Sequence, residues 1–250
     1  MGKRTLARAA WVATLGCFMA PPAAALECSR IVFHDVPASI CKVDLRTDHL
    51  RLFLNDADGK PLNSFQRLSQ TLRQHGERLL FAMNAGMYRQ DFSPLGLFVA
   101  DGKPAHRLNL ATAYGNFYLK PNGVFLVSAS GARLVASEDY NSVREPITLA
   151  TQSGPLLVQN GTINSLFDPH GVSKYVRNGV CVINTHEVVF AISDQPVNFY
   201  DFAALFKDEL RCPDALYLDG SISSLYSASL GRDDEWVPLG PIIAVTAAAN

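Results

Sequence analysis

A succession of short apolar runs, separated by turn dipeptides, sets the strongest limit on the fold of this sequence. Runs of this length that are rich in Val, Ile, Leu and Phe are typical of β-strands. Hairpin turns are predicted at Asp101–Gly102, Ser130–Gly131 and, most strongly, Asn160–Gly161. The predicted strands occupy residues 30–36, 50–54, 78–84, 95–100, 122–127, 132–136, 147–151, 155–159, 179–183, 187–193, 215–219 and 242–247.

Two segments have the apolar spacing of helices instead. The first is predicted from Ser64 to about His75, with Asn63 as its cap and Gly76 after its end. The second is predicted from about Phe199 to Leu210, with Pro213 beyond its end. The predicted class is therefore α+β: a single domain built on a mixed, largely antiparallel multi-stranded sheet core with a few flanking helices.

Composition narrows the classes of partner. The 250 residues are 48% apolar and 18% charged, which suits one sizeable domain with a real core. The formal net charge is −1, and Lys and Arg do not cluster with aromatic residues, so no nucleic-acid partner is expected. The sequence also lacks a Gly-rich phosphate loop, an internal repeat and a low-complexity linker.

Residues 1–25 have the pattern of a cleaved signal peptide. An apolar run at 9–20, too short to span a bilayer as a mature helix, leads to three alanines at 23–25. Cleavage after Ala25 leaves a domain of residues 26–250 that is periplasmic or secreted, with no stable membrane span and a formal charge of about −4. The three cations removed are Lys3, Arg4 and Arg8. A lipid anchor at Cys17 is the alternative to cleavage after Ala25.

The cysteine count agrees with export. Four cysteines remain in the mature chain, and an even number favours two disulfides, of which three connectivities are possible. The preferred pairs are Cys28 with Cys41, which flank a strand-turn-strand, and Cys181 with Cys212. Neither Cys-x-x-Cys nor His-x-x-x-His occurs, so no metal site and no cofactor is expected.

Polar residues and glycines collect where several predicted strands end. These stretches cover residues 81–88, 93–103, 150–161, 174–182 and 216–226. They contain Asn-Ala-Gly-Met-Tyr, Ser-Gly-Pro-x-Leu, Arg-Asn-Gly-Val and Leu-Asp-Gly-x-x-Ser-Ser, in this order. In order and wording they resemble the phosphodiester glycosidase family, over roughly residues 78–246.

The resemblance implies hydrolysis of the bond between the anomeric carbon of a sugar and a phosphodiester oxygen, in envelope or exopolysaccharide material. Such a reaction requires a carboxylate at the anomeric carbon and a cation at the phosphate, for which Asp219 and Arg177 are the candidates. His170, in a loop between Pro169 and Gly171, is a candidate acid, base or phosphate contact. The candidate substrate-binding residues are Asn84, Gly86, Ser153, Gly154, Asn178, Gly220, Ser221 and Ser223. The expected partner is a glycosyl phosphodiester or polysaccharide substrate.

Each candidate also has an ordinary structural explanation. Asp219 starts a turn whose amides it can accept, Arg177 can pair with a surface carboxylate, and His170 can be a solvated loop residue. Asn84 either fixes a turn or contacts a ligand. Ser153 lacks the Gly-x-Ser-x-Gly elbow of a serine nucleophile.

One departure from the family pattern affects the glycines after Asp219. Where many relatives have Asp-Gly-Gly-Gly-Ser, this chain has Ser221 and Ile222 in place of two glycines. The change removes backbone freedom and adds an apolar branch where a ligand approaches. It favours the alternative function, a noncatalytic periplasmic glycan- or phosphate-binding protein.

Overall fold

A computed structural model describes residues 2, 26–234 and 237–249, so the predicted signal peptide lies outside the described residues except for Gly2. The described strands are β1 Glu27–Phe33, β2 Val36–Asp44, β3 His49–Phe53, β4 Glu77–Asn84, β5 Phe98–Ala100, β6 Lys103–His106, β7 Gly123–Ser128, β8 Gly131–Ala136, β9 Ile147–Ser153, β10 Leu156–Gln159, β11 Thr162–Ile163, β12 Asn178–Val182, β13 Glu187–Ser193, β14 Asp214–Asp219, β15 Leu225–Ser227, β16 Arg232–Asp233 and β17 Ile242–Ala248. The α-helices are α1 Phe65–Gln74 and α2 Phe199–Ala204.

The strands form three sheets. The central sheet has seven strands in the order β1-β2-β13-β12-β14-β10-β11. Two five-stranded sheets have the orders β16-β15-β4-β17-β3 and β6-β5-β9-β7-β8. Every ladder among the described strands is antiparallel, which confirms the α+β class with its antiparallel core.

The core is built in layers around the central sheet. One apolar cluster joins that sheet to both five-stranded sheets, through side chains such as Phe81, Phe125 and Phe190. A second cluster, on the other face of the central sheet, contains Phe202 and Phe206 from the segment that starts with α2. Helix α1 covers the outer face of the β4 sheet. Each sheet has an apolar face that is stable only when it is buried against another sheet or a helix. Packing of the three sheets in this way also brings the ends of their strands close together.

The predicted strands and hairpins are confirmed, except that the strand predicted at 30–36 ends at Phe33, because His34 and Asp35 form the turn between β1 and β2. The turn residues Asp101 and Asn160 have φ of 48° and 49°, and Gly102 and Gly161 follow in the same left-handed region, as hairpins of this type require. Strand β2 was predicted only as the second strand of the strand-turn-strand between Cys28 and Cys41, and its full length was not predicted. Its sequence begins Val-Pro-Ala-Ser and alternates poorly, but it lies between β1 and β13, where pairing on both edges fixes it as a strand.

Both helices are confirmed, with two differences. The side chain of Ser64, not Asn63, accepts the Arg67 amide at the start of α1, so the prediction of Asn63 as cap was wrong. Asn63 instead has a φ of 60°, which places it outside the helix. The second helix widens after Ala204 into a π-helical segment, Leu205–Glu209.

Both predicted disulfides are present. Cys28 and Cys41 are directly paired across β1 and β2, with Cα atoms 4.1 Å apart, and Cys181 and Cys212 are 6.0 Å apart. Two disulfides fit an oxidising compartment. Among the described residues, no helix has the length and apolar character that crossing a membrane requires.

Candidate active site

Polar residues from all three sheets meet at the end of β14. Asn84 is the last residue of β4, Ser153 the last of β9, Asn178 the first of β12 and Asp219 the last of β14. Antiparallel pairing aligns Asn178 directly with Asp219. The strand register therefore brings together four residues that are widely separated in the sequence.

Asp219 is the only buried carboxylate among the described residues, with 8% of its surface exposed. Its Oδ1 accepts the amides of Gly220 at 2.6 Å and Ser221 at 3.0 Å, so the turn after β14 orients the carboxyl group. Burial nevertheless raises the pKa of Asp219 to about 6, despite the opposing effect of these amides. A carboxylate in this state is ionised at neutral pH and is a stronger base than an exposed aspartate.

Asn178 holds the backbone of Asp219. Its Oδ1 accepts the Asp219 amide at 2.9 Å, and its Nδ2 donates to the carbonyl and side-chain oxygens of Asn84 at 2.9 and 3.0 Å. Ser223 reinforces the turn, since its Oγ lies 2.9 Å from the Asp219 carbonyl oxygen. The network fixes the position of the carboxylate relative to two sheets.

Asn84 has an unused donor. Its Oδ1 accepts from both Asn178 Nδ2 and the Ser224 amide, so the orientation of the side-chain amide is determined. Its Nδ2 is buried and has no hydrogen-bond partner within the described part of the chain. Because buried donors are normally paired, this group is suited to a ligand oxygen.

Arg177 lies beside this network and is fully buried. Its Nε, Nη1 and Nη2 donate to the Val197 carbonyl at 2.8 Å, the Tyr217 hydroxyl at 3.1 Å and the Ser173 carbonyl at 3.0 Å. The ring of Phe199 covers the guanidinium, with 3.7 Å from Cζ to the ring centroid. Burial lowers the pKa of Arg177, which remains a cation. Three of its five N–H groups are therefore engaged by protein acceptors.

Tyr217 connects Arg177 to the turn after Asp219. A Cβ atom on Gly220 would lie 1.6 Å from the Tyr217 hydroxyl oxygen, so only glycine fits against this hydroxyl group. The Asn116 side chain is hydrogen-bonded to the same hydroxyl, and burial raises the pKa of Tyr217. Gly220 is thus explained by close packing rather than by its backbone angle.

The other predicted residues from β9 and the loop after β4 have structural partners. The Ser153 hydroxyl donates to the Leu218 carbonyl at 2.6 Å, and the Gly86 amide donates to Thr151 at 3.1 Å. A Cβ on Gly86 would lie 2.3 Å from the Gln152 carbonyl oxygen, and one on Gly154 2.5 Å from Asn122. A direct ligand contact for these three residues remains a prediction.

His170 and Ser221 lie at the periphery. His170 is exposed, and its backbone amide donates to the Asp168 carboxylate. Its imidazole ring has no hydrogen-bond partner among the described residues. Ser221 is exposed beside Asp219, whereas Ile222 packs against the apolar cluster under α1. The Ile222 side chain therefore points into the core, so it adds no apolar branch to the site.

Three residues of this region were not predicted from the sequence. Tyr217 lies two positions before Asp219 on the same strand, so the two-residue period of a strand was a usable signal. Tyr88 closes the Asn-Ala-Gly-Met-Tyr motif; burial and then the Asp219 charge raise its pKa, and its hydroxyl donates to the Pro238 carbonyl at 2.9 Å. Asn116 gave no sequence signal, because it begins a 3-10 helix of only three residues, Asn116–Tyr118.

Other conspicuous features lie away from the site. Glu145 is bound by Arg133, Ser128 and Ser130, and Asp194 by Arg232, so both carboxylates have structural roles. A cleft of about 580 Å³ on the β1-β2-β13 side of the central sheet contains no residue of the Asp219 network.

The strand-end motifs and the fold together define the class of this domain. This chain belongs to the phosphodiester glycosidase family, whose sequence model matches residues 77–244. Family membership supports a hydrolase of the glycosidase type.

The chain is similar to two proteins, one in its sequence and one in its fold. The uncharacterized protein YigE of Escherichia coli (strain K12) is 36% identical over 184 residues, which is 74% of this chain and 72% of YigE. The catalytic domain of zebrafish N-acetylglucosamine-1-phosphodiester alpha-N-acetylglucosaminidase, auto-inhibited by its pro-peptide, has a TM-score of 0.60 at 15% identity. The match covers 88% of this chain and 81% of that one. At this identity the zebrafish structure supports the fold alone.

Proposed function

We propose that this protein is an exported hydrolase that cleaves the glycosidic bond of a sugar phosphodiester in envelope or exopolysaccharide material. Asp219 supports the proposal most directly. It is a buried carboxylate with a raised pKa, it is held by two turn amides, and it lies among the family motifs.

In the proposed reaction, Asp219 acts on the anomeric carbon as nucleophile or as base for a water molecule. The bond between the anomeric carbon and the phosphodiester oxygen breaks, and the electron pair leaves with the phosphate. A phosphate monoester is a far better leaving group than a sugar hydroxyl, so a protonated partner carboxyl is not required. Water supplies the hydroxyl group of the released sugar.

The residues around Asp219 would bind the sugar and the phosphate of the substrate. The unpaired Asn84 Nδ2 is suited to a sugar or phosphate oxygen, and the exposed hydroxyl of Ser221 is available to either. The buried Arg177 cation lies next to Tyr217, and its two remaining N–H groups are available to a phosphate oxygen. His170 belongs to the loop that reaches Arg177 through Ser173, which supports its role as a phosphate contact or proton donor.

The test is hydrolysis of a uridine-diphosphate N-acetylhexosamine, measured as release of the free sugar and of UDP. Asp219→Asn keeps the size of the side chain and an acceptor for both amides, and it should lower the rate at least about a thousandfold while the fold remains stable. Asp58→Asn, which neutralises an exposed carboxylate in the turn between β3 and α1, is the matched control and should retain its rate. Near-normal turnover in Asp219→Asn would contradict the assignment. Binding without turnover in the wild-type protein would favour a noncatalytic sugar-phosphate-binding protein.

A further inference from the structure

Exposed apolar side chains concentrate on two loops. Among the described residues, eight large hydrophobic side chains are exposed, and six of them lie in residues 107–120 and 164–177. The six are Leu110, Tyr114, Leu119, Leu166, Val172 and Tyr175. Scattered exposed apolar residues are ordinary, but a concentration of them indicates an interaction surface.

Both loops reach the same pair of buried side chains. Asn116 from the first loop is hydrogen-bonded to the Tyr217 hydroxyl, and Ser173 from the second accepts from Arg177 at 3.0 Å. Consecutive Cα atoms are about 3.8 Å apart, so Tyr114 lies within about 8 Å of Asn116 along the chain, and Val172 adjoins Ser173. Tyr175 also lies there, with its ring centroid 5.5 Å from Arg177 Cζ. Tyr114, Val172 and Tyr175 therefore border the candidate active site.

The charge of the two loops is opposite to that of the whole chain. They carry Arg107, Lys120 and Lys174 outside the buried Arg177, against the single carboxylate of Asp168. Arg107 and Lys174 are exposed, and Lys120 pairs with Glu138. The full chain has a formal charge of −1. A border that is apolar and locally cationic is complementary to an anionic lipid surface.

We propose that residues 107–120 and 164–177 rest on an anionic lipid surface and present a substrate whose phosphodiester carries a hydrocarbon chain. The substrate class rests on the proposed function, whereas the contact with lipid does not. Four of the six side chains are branched aliphatic groups, which lack the flat face that a sugar ring stacks on but suit acyl or prenyl chains. The two tyrosines have the apolar ring and polar tip that favour the headgroup region.

Co-sedimentation with vesicles tests the contact. We expect binding to vesicles that mix phosphatidylglycerol with phosphatidylcholine, and weaker binding to phosphatidylcholine alone or at high salt. The double variant Tyr114→Ser with Val172→Ser should bind the mixed vesicles about tenfold or more weakly, because two exposed apolar side chains are lost. Val32→Ser is the matched control, since Val32 is 69% exposed but lies on β1, outside both loops, and it should bind like the wild type.

Two further measurements separate this proposal from the proposed function. Asp219→Asn should bind vesicles like the wild type, so lipid contact is measurable even if hydrolysis is not found. The double variant should retain its rate on the water-soluble uridine-diphosphate sugar and lose rate on a long-chain alkyl glycosyl phosphodiester in vesicles. Absence of wild-type vesicle binding, or an equal loss of binding in Val32→Ser, overturns the proposal. An equal loss of rate on both substrates also overturns it, because the side chains would then contact the sugar or phosphate.

Discussion

This protein buries two charged side chains, Arg177 and Asp219, and they differ in how completely protein groups replace the water around the charge. Arg177 donates hydrogen bonds from Nε, Nη1 and Nη2 to three protein oxygens, and the ring of Phe199 covers its guanidinium. Asp219 accepts amides from the turn that follows it, and its pKa is still raised to about 6. The cation is therefore solvated by the protein, whereas the anion is not fully solvated. An under-solvated ionisable group is typical of a functional site. The protein acceptors of Arg177 instead fix its guanidinium in one orientation.

The largest expected effect concerns the well-solvated charge. Arg177→Lys should lower the free energy of unfolding by about 4 kcal/mol, because an ammonium group cannot reach three separated acceptors and leaves buried oxygens unpaired. Loss of the rate on a glycosyl phosphodiester should accompany this change. Urea unfolding followed by circular dichroism measures the stability.

Arg46→Lys is the control for that substitution, since Arg46 makes an exposed ion pair with Asp44. We expect an unchanged melting temperature for it. If Arg177→Lys were as stable as Arg46→Lys, the contrast between the two buried charges would not hold.

The next effect concerns the under-solvated charge and its dependence on pH. Because the fold raises the pKa of Asp219 from 3.8 to about 6, its protonated form is favoured in the folded state. The stability it contributes is present below about pH 4 and is lost as the pH rises through about 6. Relative to Asp219→Asn, the wild type should lose about 3 kcal/mol of unfolding free energy between about pH 3 and pH 8. Unfolding both proteins at each pH measures this, and parallel curves for the two would show that Asp219 is solvated like an exposed aspartate.

The smallest expected effect on stability concerns the contact between Gly220, in the turn after Asp219, and the hydroxyl group of Tyr217, which is bound to Arg177. Gly220→Ala should destabilise the protein by about 2 kcal/mol, because the new Cβ would lie 1.6 Å from the Tyr217 hydroxyl oxygen. Tyr217→Phe removes that oxygen, so the double variant should be more stable than the sum of the single changes predicts. A double-mutant cycle on thermal unfolding measures the coupling. Additive effects would indicate that Tyr217 does not set the position of the Gly220 turn.

Much of this arrangement could be predicted from the sequence, because its signals are local. Asn160–Gly161 specifies a hairpin through the backbone angles these residues tolerate, and an apolar run such as 215–219 specifies a buried strand. The pairing of Cys28 with Cys41 followed from a strand-turn-strand between them. The position of Asp219 at a strand end followed from its place after Leu218.

Other features could not be predicted, because they depend on distant segments. The full length of strand β2 is one of them, because its sequence contains Pro37 and alternates little, and pairing with both β1 and β13 extends it to Asp44. The direction of Ile222 is set by the cluster under α1, which begins far earlier in the chain.

The sequence by itself determined most of the strands, the hairpin turns and the residue types at the ends of β4, β9, β12 and β14, because each depends on neighbouring residues. Tertiary structure decided how these residues act. The acceptors of Arg177 come from the loop at Ser173, from Val197 shortly before α2 and from Tyr217 in β14, and the burial that raises the pKa of Asp219 comes from packing around the end of its strand. Solvation of a charge depends on every group that surrounds it, and those groups are assembled only when the sheets pack together.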